Sequence, residues 1–333
     1  MNRDTHLLLL LQRMRFLTTK EKLILLNYCF TIDQVPEKKD MELILGRKII
    51  ASYNRDQLLE MVDSDLSHMV KNSIKILFIE DENYPVQLKE IFNPPFLLYY
   101  RGQIPPEDSL NISVVGTRKA SGRALKEAYA LSFDLARSGA AVISGLAEGI
   151  DTEAHRGALA GKNYTAAVLG CGVDRIYPPC NTRLASAILD NGGTLLSEYP
   201  PGTLPLKYNF PERNRILSAF SEAVVVVEAP MGSGSIITAD FALSQGREVF
   251  VLHVPSDAPK GAGTMKLVNE GASSVASALE VLNSLSYKTK DLKRKINISQ
   301  DYDSLETGRF LAARFLAELR GREICREGTY YSL

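Results

Sequence analysis

Ala223-Val224-Val225-Val226-Val227-Glu228-Ala229-Pro230-Met231-Gly232-Ser233-Gly234-Ser235-Ile236-Ile237-Thr238-Ala239 reads as a strand, a turn and the opening of a helix. Four consecutive valines with no polar alternation predict a central strand covered on both faces. The glycines and serines after Pro230 place N–H and hydroxyl donors where a helix begins. The same order recurs on both sides of this stretch. Short apolar, β-branched runs lie at Ile112–Val115, Ala141–Ile143, Thr165–Leu169, Thr194–Ser197, Ala223–Val227 and Glu248–Leu252. Helical stretches separate them at Ala124–Arg137, Thr152–Ala160, Asn181–Asp190, Arg213–Ala219 and Ser235–Gln245. Strands of four to six residues alternating with such helices predict βαβ units and a parallel sheet, an α/β fold.

Outside that region the pattern differs. The first ~75 residues carry apolar positions between charged ones, at Leu7–Leu11, Phe16–Leu17, Leu23–Leu26 and Leu58–Val62, and read as helices. Ile74–Ile79 is a candidate short strand. The proline-rich stretch from Asn93-Pro94-Pro95 to Ile104-Pro105-Pro106 reads as an extended linker, because proline continues neither a helix nor a central ladder. After Leu285 the chain turns polar, with Lys288, Lys290, Lys293, Arg294 and Lys295 close together. Phe310–Arg320 then reads as a helix.

The chain has 333 residues, a length that suggests roughly two domains. It is 45% hydrophobic and 23% charged, enough apolar material for a full core, which excludes a mainly disordered chain. Lys+Arg 39 balance Asp+Glu 39, so any nucleic-acid site must be a local patch on a neutral body. Leu7–Leu11 is too short for a signal-peptide core, and no run approaches a membrane span, so no membrane role and a cytoplasmic location are expected. Cys29, Cys171, Cys180 and Cys325 show no CxxC spacing. No metal site and no cofactor are expected, and the thiols should be reduced.

Five segments carry candidate chemistry. In Val114-Val115-Gly116-Thr117-Arg118-Lys119-Ala120-Ser121-Gly122 a strand ends, two cations follow and a helix opens, the makings of an anion site. Its G-x-x-x-x-x-G spacing matches neither the dinucleotide fingerprint nor a P-loop, and a tight turn with solvated cations remains the alternative. In Ser144-Gly145-Leu146-Ala147-Glu148-Gly149-Ile150-Asp151-Thr152-Glu153-Ala154-His155, Asp151 and His155 fall one turn apart. With no nucleophile nearby, a capped helix whose histidine bonds inside the sheet edge is favoured over an acid–base dyad. Leu169-Gly170-Cys171-Gly172-Val173-Asp174-Arg175-Ile176-Tyr177-Pro178-Pro179 is another strand exit, where Arg175 is either a ligand cation or part of a rigid proline turn. Leu206-Lys207-Tyr208-Asn209-Phe210-Pro211-Glu212-Arg213-Asn214-Arg215 interleaves aromatics with three cations, a pattern that suits phosphates and unstacked bases, or else a core plug ringed by solvated charge. The glycine–serine turn at 232–235 is the fifth. Several such loops past strand carboxyl ends converge on one edge of an open sheet, where ligands bind.

In order, these segments read VVGTRKAS, SGLAEGIDTEAH, VLGCGVDRIYP, FPERNR and VVVVEAPMGSGSIITA. Together they resemble the DNA-processing protein A family, also called DprA or Smf, over about Tyr84 to Ala276. The resemblance implies a doubly wound, mostly parallel Rossmann-like domain at 81–285, an N-terminal helical domain at 1–80 and a C-terminal extension at 286–333. The tail GREICREGTYY resembles the last helix and wing of a winged helix. It also implies a homodimer that binds single-stranded DNA without sequence specificity, protects it, and loads the RecA recombinase in natural transformation. Arg118, Lys119, Ser121, Arg175, Lys207, Arg213, Asn214 and Arg215 are then the candidate DNA contacts. Phe210 would stack a base, and Ser233, Gly234 and Ser235 would donate hydrogen bonds. The chain departs from the family pattern at Val254-Pro255-Ser256-Asp257 and at Gly261-Ala262-Gly263-Thr264-Met265-Lys266, a loop segment in which Met265 replaces an asparagine. Two other readings use the same fold. A nucleotide-sensing module is one. A nucleoside-monophosphate phosphoribohydrolase is the other, but Thr238 stands where such an enzyme carries its glutamate, so no enzyme is expected.

Overall fold

The computed structural model describes residues 4–105, 109–254, 258–286, 323–326 and 329–332. It divides into two compact units: residues 1–101 with 170–175 and 196–206, and residues 102–169, 176–195 and 207–333.

The first unit opens with α1 (Thr5–Arg13), whose Leu7–Leu11 are all buried, then α2 (Thr19–Leu25), α3 (Lys38–Leu45) and α4 (Arg55–Lys71). α2 begins in a reciprocal capping box between Thr18 and Glu21, which satisfies two otherwise orphaned donors. Arg13 on α1 forms a forked pair with buried Asp65 on α4, its Nε donating at 2.8 Å. Burial raises the Asp65 carboxyl above its usual range, and Arg13 opposes that. β1 (Lys75–Phe78) follows, then the single turn α5 (Val86–Lys89) and β2 (Leu97–Gly102). β1 and β2 pair antiparallel from Lys75↔Tyr100 to Phe78↔Leu97. The proline-rich linker expected here is therefore part strand. Its prolines at 94, 95, 105 and 106 all lie outside Leu97–Gly102, so none removes a ladder donor.

The second unit is built on β3 (Asn111–Val115), α6 (Gly122–Arg137), β4 (Ala141–Ser144), α7 (Ile150–Ala160), β5 (Thr165–Val168), α8 (Thr182–Asp190), the first two residues of β6 (Thr194–Ser197), α9 (Asn209–Ala219), β7 (Ala223–Val226), α10 (Gly234–Ser244) and β8 (Glu248–Leu252). α11 (Ala258–Asn269), β9 (Ser273–Val275) and α12 (Ala278–Ser286) complete it. Strands β5-β4-β3-β7-β8-β9 are neighbours in that order and pair in parallel. β3 and β7 are buried at every residue, as an unalternating valine run requires. On one face Ile112, Val114, Val142, Val225 and Phe250 pack against Ala128, Leu131 and Leu135 of α6, Ala154 and Ala158 of α7, and Val281 and Leu285 of α12. α9 and α10 serve the other face, where the Ser113 hydroxyl of β3 donates to the Leu217 carbonyl of α9 at 3.0 Å. The sheet is doubly wound, as expected. Gly261–Lys266, expected as a loop, lies inside α11.

β10 (Glu323–Arg326) and β11 (Thr329–Ser332) form an antiparallel hairpin in the tail. The expected helix at 310–320 and the lysine-rich stretch at 288–295 lie outside the described residues, as do residues 255–257. Among the described residues no helix is long and apolar enough to cross a membrane.

Candidate nucleic-acid interface

Three loops at the carboxyl ends of β3, β4 and β7 meet, and two of them are filled from within. The α6 N-terminus, expected to await a phosphate, already holds a carboxylate. Glu228, immediately after the valine strand, is 1% exposed. Its Oε2 accepts from the Ser121 N–H at 2.7 Å, its Oε1 accepts from the Ser121 hydroxyl at 2.9 Å, and its carbonyl accepts from Thr117 N–H at 2.7 Å. The Ser121 hydroxyl oxygen in turn caps α6 by accepting from Ala124 N–H at 3.1 Å. Ser121 is therefore committed inside the protein rather than offered to a ligand.

The loop after β4 is filled in the same way. Asp151 Oδ2 accepts from Gly145 N–H at 3.1 Å and Ala147 N–H at 3.3 Å. Burial raises the Asp151 carboxyl above its usual range; the Arg213 charge and the two N–H bonds oppose this. His155 is not its partner. It is fully buried, and its Nδ1 sits 2.8 Å from the Thr165 hydroxyl. Burial and the Arg213 charge push the imidazole down to about 3, so it is neutral. The favoured expectation holds in part: His155 is bonded within the sheet, but at the start of the interior strand β5, and α7 opens after Gly149 without a side-chain cap.

Arg213 joins the strand exits. It is 4% exposed, and its Nη1 donates to the Gly145 carbonyl at 3.0 Å and to the Val168 carbonyl. A Cβ at Gly145 would lie 2.6 Å from the guanidinium and 2.8 Å from the Asp151 carboxylate, so only glycine admits this arginine. Gly149 (φ +81°) brings the same loop within Cβ-clash distance of the Thr117 and Arg118 carbonyls, which locks it to the β3 exit.

What remains open is a shallow cleft lined by Arg118, Gly145, Ala147, Glu148, Tyr177, Pro178, Phe210 and Arg213. Exposed Arg118 lies over the half-buried Phe210 ring, its guanidinium carbon 5.3 Å from the centroid. The Tyr177 ring also neighbours Phe210, at 5.4 Å and tilted by 42°. A cation and two aromatic faces thus share one concavity.

The remaining candidates sit as follows. Lys119 and Lys207 are exposed. Asn214 and Arg215 are each 8% exposed on α9. Asn214 Nδ2 donates to the Gly234 carbonyl at 3.1 Å, and the Arg215 carbonyl accepts from Gln245. These two, with Arg213, were expected at phosphates, but the structure builds them into the packing of α9. Ser233 caps α10, its hydroxyl 2.8 Å from that of buried Ser235, while Gly234 is exposed. Arg175 belongs to the 170–175 segment of the first unit. Sequence reasoning passed over Glu228, Tyr177 and Glu148. The signal for the first was a glutamate directly after an all-valine strand, a position that cannot be solvated.

Among the described residues no group of three or more His, Cys, Asp and Glu side chains is placed to hold a metal ion. Cys29, Cys171 and Cys180 are free thiols.

An open parallel α/β sheet with a cation-and-aromatic cleft past its strand ends is the architecture of a Rossmann-like ligand-binding protein. The chain belongs to the DNA recombination-mediator protein A family, whose profile matches residues 75–286. It is 39% identical over 226 residues to the Smf protein of Escherichia coli, a match that covers 68% of this chain and 60% of that one. The chain thus spans about three fifths of that curated relative. The crystal structure of DNA processing protein A from Streptococcus pneumoniae superposes with a TM-score of 0.68 at 34% identity, covering 85% of this chain and 98% of that one. A Helicobacter pylori DNA processing protein A, described for its single-stranded DNA binding mode, superposes with a TM-score of 0.58 at 31% identity over 65% of this chain and 96% of its own.

Proposed function

We propose that this chain binds single-stranded DNA at the cleft between Arg118, Tyr177 and Phe210, and acts as a recombination mediator rather than an enzyme. The observation that carries the reading is the Arg118 guanidinium lying over the Phe210 ring at a sheet edge. An arginine can fork onto a phosphate while the rings beside it take the face of an unstacked base, and a duplex offers no such free face. The similarity to the Helicobacter pylori protein supports the same ligand. The non-enzymatic reading is supported by Thr238, whose buried hydroxyl donates to the Gly234 carbonyl at 3.2 Å where a hydrolase would need a carboxylate. The family resemblance extends the proposal to a cytoplasmic homodimer that shields the strand and hands it to the RecA recombinase, with residues 286–333 as a C-terminal extension.

A salt titration tests it. The exposed cations among the candidates of the second unit are Arg118, Lys119 and Lys207. At about 0.7 per neutralised phosphate, three contacts give a log–log slope of about −2 for a single strand. Binding that ignores salt, or a preference for duplex over single strand, overturns the proposal.

A further inference from the structure

Glu148 lines the cleft beside Arg118, Tyr177, Phe210 and Arg213, and is the one carboxylate among the described lining residues. It is exposed, and Cys180 Sγ donates to its Oε1 at 3.6 Å. No ion pair holds it among the described residues, although two arginines line the same cleft. Arg213 has turned to the Gly145 and Val168 carbonyls, and Arg118 to the face of Phe210. The carboxylate is left with acceptor capacity facing the cleft.

An ionised carboxylate only accepts hydrogen bonds and repels phosphate. What it can take from a nucleotide is a donor edge. With the phosphate on Arg118 and the base face on Phe210 and Tyr177, a base edge is left for Glu148, and of the Watson–Crick and Hoogsteen edges by which unstacked bases are read only the Watson–Crick edge carries ring N–H donors. Guanine presents two adjacent donors there, N1–H and the N2 amino group, matching the two oxygens of one carboxylate. Adenine and cytosine present one amino group beside an acceptor nitrogen. Thymine presents one N–H between two carbonyls.

We infer that the cleft is a guanine-selective subsite on an otherwise sequence-indifferent path, with Glu148 as the selecting residue. The inference rests on the proposed single-strand binding and adds a base preference to it.

The test uses fluorescence anisotropy with the full chain and four labelled 20-mers: thymidine throughout, and the same strand with guanine, hypoxanthine or adenine at every fourth position. A side-by-side pair read in an open cleft should favour the guanine strand about five- to tenfold over thymidine, the lower part of the range for bidentate base contacts. Hypoxanthine keeps N1–H but lacks the amino group, so its strand should fall between. Glu148→Gln should shrink the gap below about twofold while binding the thymidine strand more tightly, since a charge that repels phosphate has gone; lost folding would weaken both strands together. If the wild type binds thymidine strands without favouring guanine, favours adenine equally, or keeps its preference in Glu148→Gln, the inference falls and single-strand binding stands. If the wild type binds no single strand at all, the proposed function falls with it.

Discussion

Glu228 should be the residue on which the Arg118 loop depends. Its carboxylate accepts both Ser121 donors, and its carbonyl holds Thr117, so it fixes the two ends of the five-residue loop that carries Arg118 and Lys119. Glu228→Ala removes two charge-assisted hydrogen bonds worth about 1.5–3 kcal/mol each and leaves the part-buried Ser121 N–H without its acceptor. It also removes the negative charge at the α6 N-terminus, roughly 1–2 kcal/mol in a partly buried setting. Against these stands the relieved cost of burying a carboxylate, several kcal/mol. The net expectation is a loss of about 2–4 kcal/mol in urea unfolding with the slope unchanged, or roughly 5–10 °C in melting temperature for a unit of this size.

Two further arms separate this mechanism from generic core damage. Glu228→Gln keeps one acceptor and nearly all the volume, so it should lose about 1–2 kcal/mol. In Glu228→Ala the vacated α6 N-terminus becomes a real anion site, and sulfate should raise its melting temperature more than that of the wild type. DNA affinity should fall alongside stability, because the loop is no longer held. A Glu228→Ala protein that melts like the wild type and binds single strands equally well would refute the clamp.

Arg118→Ala should weaken single-strand binding by about 1.5–3 kcal/mol, with Arg118→Lys restoring only part because an ammonium cannot fork onto a phosphate; melting without DNA should be unaltered, since the side chain is exposed. Phe210→Ala should cost about 1–3 kcal/mol of affinity while leaving the salt slope in place, and equal affinity in a folded variant would reassign the ring to packing. His155 gives an acid-dependence. Its folded value of about 3 lies below the ordinary 6.5, so its contribution is complete above pH 6.5 and is lost as pH falls toward 3. At pH 5 that is about 2 kcal/mol, from 1.36 kcal/mol per unit over 1.5 units. Asp151, with a raised carboxyl, acts in the opposite sense. His155→Asn should therefore flatten the decline in stability between pH 6.5 and 5, and an unchanged slope would clear His155 of the effect.

The strands and helices of the second unit were legible because burial writes a strong pattern: a run such as Val224–Val227 has no reading but a covered strand, and the structure ends it one residue earlier, at Val226. β2 was not legible, because prolines on both sides dominate the local signal, whereas what matters is that none lies within Leu97–Gly102. The site was half legible. The spacing shows loops rich in N–H donors at one edge, and those loops do converge. It does not show which carboxylate reaches them, since Glu228 approaches Ser121 across 107 residues of chain. The burial of Arg213 and Arg215 was hidden for a related reason. Next to Phe210 they read as surface cations, yet they sit on a helix that packs against the sheet, and Arg213 meets carbonyls at two strand exits that no local window contains.

The internal carboxylates also decide what kind of binding this edge can support. Asp151 accepts the Gly145 and Ala147 N–H groups and Glu228 the Ser121 N–H, so those backbone donors at two strand exits are closed to a phosphate. On the proposed reading, phosphate contacts at these two loops fall to exposed side chains such as Arg118. Side-chain cations on flexible stems follow a phosphate backbone of any sequence, whereas a preformed cradle selects one phosphate group in one geometry. Glu228 and Asp151 thus fix the loops through internal hydrogen bonds and, on the proposed reading, favour tracking a strand over holding a small nucleotide.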